Sequence, residues 1–143
     1  MGRILALDIG ESRIGLAITD ESQTIAQPLE TTCSPSEITG LIDSLSQDYE
    51  ISKIVVGWPK SLSGEAGKQS ESVKKVGDRI STFSNIPIEY LDERYTTQAA
   101  IRMPDRDPKI PIDSLAAQIL LENYLTKNKN QNIDESVSTR HNN

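Results

Sequence analysis

The stretch RILALDIGESRIGLAITD, residues 3–20, decides the fold. Its first part, Arg3–Asp8, is a short apolar run without alternation, which is typical of a strand buried on both faces. Gly10 interrupts this run. From Arg13 to Thr19 the apolar residues alternate, which predicts a second strand with one covered face. Two strands joined by so short a connection are expected to pair as an antiparallel hairpin.

The rest of the chain alternates between strands and helices. Pro28 places the third strand near a sheet edge, because proline cannot donate to a strand ladder. Ser34-Pro35-Ser36-Glu37 is a capping box that opens the first helix. The other predicted elements are strands over Thr24–Leu29, Ile51–Gly57 and Ile86–Leu91, a helix with Val73, Val76, Ile80 and Phe83 on one face, a short helix from Thr96 or Thr97 that stops before Pro104, and a last helix over Asp113–Leu125.

The resulting order, β-β-β-α-β-α-β-α-α, predicts an α/β fold with a five-stranded mixed sheet and helices on both faces. The chain has 143 residues, and we expect residues 1–126 to form one domain. Residues 127–143 lack apolar periodicity and are predicted to be a disordered polar tail.

Composition limits the chemistry that is available. The chain has a single histidine, His141, and a single cysteine, Cys33. These counts exclude an internal disulfide and a Cys-based zinc cluster, and they argue against a His-dependent triad. The formal net charge is −6, which argues against an avid, non-specific nucleic-acid binder. Carboxylates gathered to bind metal give the same sign of charge, so a nuclease is not excluded.

Two observations bear on the compartment. No apolar run approaches the roughly 20 residues that span a bilayer. The N-terminus reaches Asp8 too early to hold a signal peptide. We therefore expect a cytoplasmic protein without a membrane partner.

Acidic residues stand at the ends of three predicted elements. Asp8 closes the first strand, Asp92 and Glu93 close the fifth, and Asp113 opens the last helix. Functional groups gather at the carboxyl ends of parallel strands, so we expect these side chains to meet. Oxygen-only ligation favours Mg²⁺ or Mn²⁺, and two such ions can promote hydrolysis of a phosphodiester. The pattern predicts a metal-dependent nuclease, with either Asp92 or Glu93 as its second acid.

Each acid also has a purely structural interpretation. Asp113 can be an N-cap, and Asp92 or Glu93 beside Arg94 can be a surface ion pair of little energetic value. Asp8 is harder to explain in this way, because strands are depleted in aspartate.

The glycine-bearing loop from Gly57 to Gly67 is a second candidate feature. Its glycines permit close backbone approach, and the helix N-terminus after it can hold a phosphate. The segment from Lys60 to Arg79 has five basic and three acidic residues. An ordinary βα loop explains the pattern equally well, and the spacing does not match a P-loop. Trp58 and Tyr95 are candidates to stack on bases, although single aromatic residues more often pack.

Five segments together resemble the YqgF/RuvX family, and they span about residues 3–125: LALDIGESRIGLAITD, IAQPLETT, IVVGWPKSLSGEAG, YLDERYTT and IDSLAAQILLENYL. The opening motif LD-x-G-x-x-R-I-G is specific for this family when the motifs DER and D-S-x-A-A follow it in the chain. This bacterial family is related to the Holliday-junction resolvase RuvC. The resemblance implies an RNase H-like fold and a nuclease that matures the 5′ end of the small-subunit ribosomal RNA precursor.

The resemblance also implies site residues and partners. The family's acidic positions fall on Asp8, Glu93 and Asp113, as catalytic residues and as ligands of Mg²⁺ or Mn²⁺. Arg13 and Arg94 match basic positions that face phosphate, and Lys60 is a further candidate for substrate binding. The implied partner is structured RNA, the pre-16S rRNA of a ribosome precursor, or alternatively branched DNA. No segment identifies an oligomeric state.

Two further functions stay open at this point. The acidic net charge favours a non-catalytic ribosome-assembly or RNA-binding module that keeps the fold without the activity. Asp-x-Gly followed by a hairpin also opens the actin-like ATPases, but those proteins clasp a nucleotide between two such domains and this chain supplies one.

Overall fold

In the computed structural model, which describes residues 2–59, 66–92 and 107–141, helices cover both faces of a five-stranded sheet. The strands are β1 (Arg3–Ile9), β2 (Ile14–Thr19), β3 (Ala26–Pro28), β4 (Ile51–Trp58) and β5 (Ile88–Asp92). The helices are α1 (Ile38–Asp48), α2 (Ala66–Phe83) and α3 (Ile112–His141), and a 3₁₀ turn over Pro35–Glu37 precedes α1.

The strands are ordered β3-β2-β1-β4-β5. β1 pairs antiparallel with β2, and β2 pairs antiparallel with β3. β4 pairs parallel with both β1 and β5. The mixed sheet, the hairpin and the edge position of the strand that contains Pro28 are thereby confirmed.

Side chains of β1 alternate between two helical layers. Leu5, Leu7 and Ile9 pack in one hydrophobic cluster, with residues of α1 and α2. Ile4 and Ala6 pack in a second cluster on the other face, with residues of α3. This strand is buried on both faces, as its unbroken apolar run predicts.

One covered face was expected for β2, and this expectation is wrong. Every residue of β2 is buried. Its large side chains face α1 and α2, while Gly15 and Ala17 face α3, which lies close against them because their side chains are so small.

The helical layers follow the predicted apolar spacing with one exception. Val73, Val76 and Ile80 of α2 are buried, but Phe83 is 54% exposed. Phe83 is the last residue of α2 and is not part of the buried face, so the prediction for this residue is wrong.

Local hydrogen bonds explain where two elements begin. Oε1 of Glu37 accepts hydrogen bonds from the Ser34 backbone N–H (3.1 Å) and the Ser34 hydroxyl (2.7 Å), so the predicted capping box is present. These bonds lower the pKa of Glu37. β3 begins at Ala26 instead of Thr24, because the Thr24 and Ile25 N–H groups donate to Oδ1 of Asp20 in the preceding turn.

The end of the last helix differs from the prediction. α3 continues to His141, so the predicted end near Leu125 is wrong, and the residues predicted to be disordered from 127 are helical up to that point. Residues 126–141 contain neither glycine nor proline, and nothing in them stops a helix. The helix predicted after Thr96 lies outside the described residues. None of the helices described is long and apolar enough to cross a membrane.

Candidate functional site

Asp8 lies near the carboxyl end of β1 and is partly buried. It shares its face of the strand with Ile4 and Ala6, because side chains alternate along a strand. Both of those residues belong to the α3 cluster. Asp8 therefore faces the layer formed by α3, and its partner across the β1–β2 pair is Gly15.

The first turn of α3 lies directly over Gly15. A Cβ atom at this position would overlap the carbonyl group of Asp113 and the backbone nitrogen of Ser114. Glycine in a strand interior often marks such a close approach of another backbone. The absence of a side chain at residue 15 therefore brings the start of α3 down onto the strand beside Asp8.

A buried hydrogen bond joins the same two elements. The backbone N–H of Leu16 donates to Oγ of Ser114 at 3.4 Å, and Ser114 is fully buried. The N–H groups of Ser114 and Leu115 donate to the carbonyl oxygen of Pro111, which closes the first turn of the helix. Asp113 is consequently held on a fixed turn, not on a loop.

These contacts bring Asp8 and Asp113 to one end of the sheet and one face of it. The link runs through Gly15, which pairs with Asp8 in the sheet and contacts the backbone of Asp113. The two aspartates are 105 positions apart in the chain, yet a single glycine separates their backbones in the folded protein.

Arg13 precedes β2 at the same end of the sheet. Its Nε lies 3.6 Å from Oδ2 of Asp113, and the two side chains are 68% and 34% exposed. An ion pair this open to water contributes little to stability. Its guanidinium remains accessible to an anion that approaches from solvent.

The second acid was left open between Asp92 and Glu93. Asp92 pairs in register with Trp58, which packs against the cluster of α1 and α2. Leu91 packs against the α3 cluster. Asp92 is thus placed on the sheet face opposite to Asp8. Glu93 itself lies outside the described residues, and so do Lys60 and Arg94.

Carboxylate oxygens are hard ligands, and the chemistry of Asp8 and Asp113 fits Mg²⁺ or Mn²⁺. Within residues 2–59, 66–92 and 107–141, no group of three or more His, Cys, Asp or Glu side chains is placed to hold a metal ion. The third predicted ligand, Glu93, is not among those residues.

Comparison with known proteins identifies the family. The family model described as "RuvX: Holliday junction resolvase" matches residues 2–127. The chain belongs to the RuvX family.

Two relatives share one name. A protein of Caldanaerobacter subterraneus subsp. tengcongensis named "Putative pre-16S rRNA nuclease" is 39% identical over 137 residues, which cover 90% of this chain and 99% of the relative. A protein of Roseiflexus sp. with the same name is 38% identical over 132 residues, covering 87% of this chain and 94% of the relative.

A solved structure supports the RuvX assignment at the level of the fold. Thermus thermophilus RuvC in complex with a Holliday junction substrate superposes with a TM-score of 0.56 at 10% identity, covering 90% of this chain and 96% of RuvC. The RNase H-like fold that the sequence motifs imply is therefore confirmed.

Cys33, the only cysteine of this RuvX-family chain, takes no part in the site. It is buried beside the start of β2, where its backbone forms an isolated antiparallel β-bridge with Ile14. Burial, followed by the nearby charge of Glu37, raises the pKa of the thiol to about 11. At neutral pH the side chain is protonated and neither a nucleophile nor a metal ligand.

Sequence reasoning missed two residues that build the site, Gly15 and Ser114. Glycine in the middle of an otherwise apolar alternating strand was the available signal for close backbone approach. Ser114 had no comparable signal, because a serine in the first turn of a helix is common and its strand partner is 98 residues away.

Proposed function

We propose that this chain is a divalent-metal-dependent nuclease that hydrolyses a phosphodiester bond in structured RNA, at the 5′ end of the pre-16S rRNA of a cytoplasmic ribosome precursor. The observation that carries the proposal is the placement of Asp8 and Asp113 at one edge and on one face of the sheet. The names of the relatives supply the substrate.

Asp8, Glu93 and Asp113 are the proposed ligands of Mg²⁺ or Mn²⁺. The position of Asp92 on the face opposite to Asp8 supports Glu93 as the second acid. When bound, these ions stabilise the negative charge that develops on a phosphodiester as water attacks it. The protein contributes rigid placement, because Asp8 lies in a central strand and Asp113 on an anchored helical turn.

Arg13, Lys60 and Arg94 are the proposed contacts to the phosphate backbone. Arg13 supports this role best, since its guanidinium is largely exposed and lies 3.6 Å from Asp113. Arginine can bind a phosphate through two parallel hydrogen bonds, which orients the phosphate as well as attracting it. In the protein without substrate, the same side chain partly offsets the negative charge of Asp113.

Replacing Asp8 with asparagine tests the proposal. Asp8→Asn keeps the shape of the side chain but removes its charge, and we expect cleavage of a pre-16S rRNA 5′-end substrate with Mn²⁺ to be abolished. Asp43→Asn, an exposed aspartate of α1, is the matched control and should retain wild-type activity. Full activity of Asp8→Asn would refute the nuclease mechanism.

A DNA substrate is the second candidate, and the family description favours it. The same protein preparation should therefore be assayed on a synthetic four-way DNA junction. Faster cleavage of the junction than of the RNA would shift the substrate to branched DNA while leaving the site unchanged. Rescue of a deletion strain by Asp8→Asn would favour a non-catalytic assembly role instead.

A further inference from the structure

A cavity lies between α2 and the carboxyl-terminal halves of β4 and β5, on the face opposite to Asp8. Its volume is about 590 Å³, and its lining residues are Trp58, Lys74, Asp78, Tyr90 and Asp92. Pockets that bind small ligands range from about 300 to 1,000 Å³. The proposed nuclease chemistry does not use this cavity.

Two aromatic rings form one wall of the cavity. The centroids of Trp58 and Tyr90 are 5.2 Å apart, and the rings are nearly perpendicular at 83°. Trp58 packs partly against the core, while Tyr90 is 38% exposed on the edge strand. A Cβ atom at Gly77 would overlap the Tyr90 hydroxyl, so the small residue in α2 allows the tyrosine to lie against the helix. The aromatic wall is therefore held by packing and open to solvent on one side.

Charged groups of both signs surround these rings. Lys74 and Asp78 are exposed residues four positions apart on α2, so they share one side of the helix. Asp92 adds a second carboxylate at the end of β5. Two carboxylates disfavour a phosphate group here, but they accept hydrogen bonds from the amino groups of nucleobases. The lining matches the flat, apolar, hydrogen-bonding surface of a base.

The surroundings of Tyr90 also change the pKa of its phenol. Burial first, and the nearby Asp78 carboxylate second, raise the pKa of the Tyr90 phenol. The phenol therefore keeps its proton well above neutral pH and remains a hydrogen-bond donor.

The cavity is close to the proposed catalytic edge. Leu7 pairs with Val56 in register, so Asp8 lies beside Gly57, the residue before Trp58. The backbones of Asp8 and Trp58 are therefore at most about 9 Å apart. This is the distance between two neighbouring strands, about 4.8 Å, plus the distance between consecutive Cα atoms, about 3.8 Å. The two backbones are thus neighbours at one edge of the sheet, although the side chains of Asp8 and Trp58 occupy opposite faces.

From these contacts we infer that Trp58 and Tyr90 form a stacking site for one unpaired nucleobase adjacent to the phosphodiester that is cleaved. This inference rests on the proposed nuclease function and adds a substrate requirement to it: single-stranded character next to the cleavage position. Base stacking on aromatic side chains tolerates any sequence, so the site selects for an unpaired base and not for a particular one.

Trp58 is the only tryptophan of the chain, so its fluorescence reports on this cavity alone. The probes are a short single-stranded oligoribonucleotide of mixed sequence and the same strand annealed to its complement, both titrated in EDTA to prevent cleavage. We expect saturable quenching by the single strand and little by the duplex. Equal quenching by both probes, or none by either, would overturn the inference.

Substitutions separate stacking from charge attraction. Trp58→Leu should weaken binding of a dye-labelled single strand, followed by fluorescence anisotropy, by about 5- to 150-fold, which is the range for loss of one stacked base. Trp58→Phe keeps an aromatic face and should lose less, and it serves if the leucine variant does not fold. Phe83→Leu removes an exposed aromatic outside the cavity and should bind like wild type. Wild-type affinity of both Trp58 variants would refute the stacking site.

The Asp8→Asn variant distinguishes this inference from the proposed function. If both are right, that variant loses cleavage and retains the quenching by single strands. Quenching without any cleavage by wild-type protein would support the stacking site and count against the nuclease. Cleavage that is unaffected by Trp58→Leu and Trp58→Phe would support the nuclease and count against the stacking site.

Discussion

Gly15 lies directly beneath the carbonyl group of Asp113, so closely that any side chain at residue 15 would overlap it. Because Gly15 also pairs with Asp8 across two strands, this contact links the two aspartates of the candidate site. The position of α3 over the sheet, and with it the position of Asp113, depends on the missing side chain.

Gly15→Ala should therefore damage both stability and activity. The added methyl group must push α3 away from β2, and overpacking of this kind costs about 1–3 kcal/mol in free energy of unfolding. Urea denaturation measures that loss, and cleavage of the RNA substrate should fall with it. Gly40→Ala is the control, because nothing lies within 4 Å of a Cβ atom there, and alanine in α1 should stabilise by up to about 1 kcal/mol. Equal stability of Gly15→Ala and wild type would contradict the assigned contact.

Ser114→Ala tests the hydrogen bond that anchors the first turn of α3. The substitution leaves the buried N–H of Leu16 without the Ser114 hydroxyl as acceptor, and an unsatisfied buried donor costs about 1–3 kcal/mol. The free energy of unfolding should fall by that amount in chemical denaturation. Ser44→Ala, at an exposed position of α1, should change stability by less than about 0.5 kcal/mol. A Ser114→Ala protein as stable as the Ser44→Ala protein would show that the bond does not hold the turn.

Arg13→Gln should separate stability from substrate binding. The ion pair with Asp113 is long and exposed, so its removal should change the free energy of unfolding by no more than about 0.5 kcal/mol. A contact to phosphate is worth more, since hydrogen bonds to charged groups contribute about 1.5–3 kcal/mol, and KM for RNA should rise tenfold or more. Steady-state kinetics and thermal unfolding of the same preparation give both values. An unchanged KM would remove Arg13 from the proposed phosphate contacts.

Tyr124→Phe should alter how stability depends on pH. The hydroxyl of Tyr124, which is almost fully buried, donates to Oε2 of Glu89 at 2.6 Å and accepts from Nζ of Lys53 at 2.7 Å. The bond from Tyr124, and secondarily the ion pair with Lys53, lower the pKa of Glu89. The stability that ionised Glu89 gives to the folded protein is therefore present at pH values above the pKa of this residue in the unfolded chain. It is lost as the pH falls through the lower pKa of the folded protein.

At neutral pH, Tyr124→Phe should lose about 0.5–1.5 kcal/mol of unfolding free energy, because solvent around the Lys53 and Glu89 side chains (37% and 46% exposed) weakens these bonds. Its stability should also fall less steeply than that of wild type when the solution is acidified below pH 4.5, the ordinary pKa of glutamate. Tyr49→Phe, which keeps the ring that lies under the Arg3 guanidinium, is the control. Parallel pH profiles for wild type and Tyr124→Phe would contradict the assigned role of the hydroxyl.

Local patterns in the sequence predicted most elements correctly. The apolar run of β1, the capping box at Ser34 and the β-branched run of β4 each act over a few neighbouring residues, so a linear pattern is enough to recognise them. Errors occurred where a distant partner or a missing stop signal decides the outcome. β2 is buried on both faces because α3 covers it, and α3 runs past Leu125 because no residue there ends a helix.

The candidate site was predicted in part for the same reason. Asp8 and Asp113 stood out as carboxylates at the ends of elements, and the structure places both at one edge of the sheet. Asp92 and Glu93 were equivalent in a linear reading of the residues, and only the pairing of Asp92 with Trp58 showed which face Asp92 occupies. Trp58 was recognised as a possible stacking residue, but its partner Tyr90 was not, because their contact joins two strands.

The sequence by itself determined the kinds of secondary-structure element, their order and the carboxylates available as metal ligands. Hydrophobic periodicity, capping and residue type are all properties of single or neighbouring residues. The tertiary structure alone decided that β4 lies next to β1, that α3 rests on Gly15, and that the aromatic pair opens on the face away from Asp8. Those relationships depend on packing between segments up to about a hundred residues apart, and no local pattern in the chain encodes such a distance.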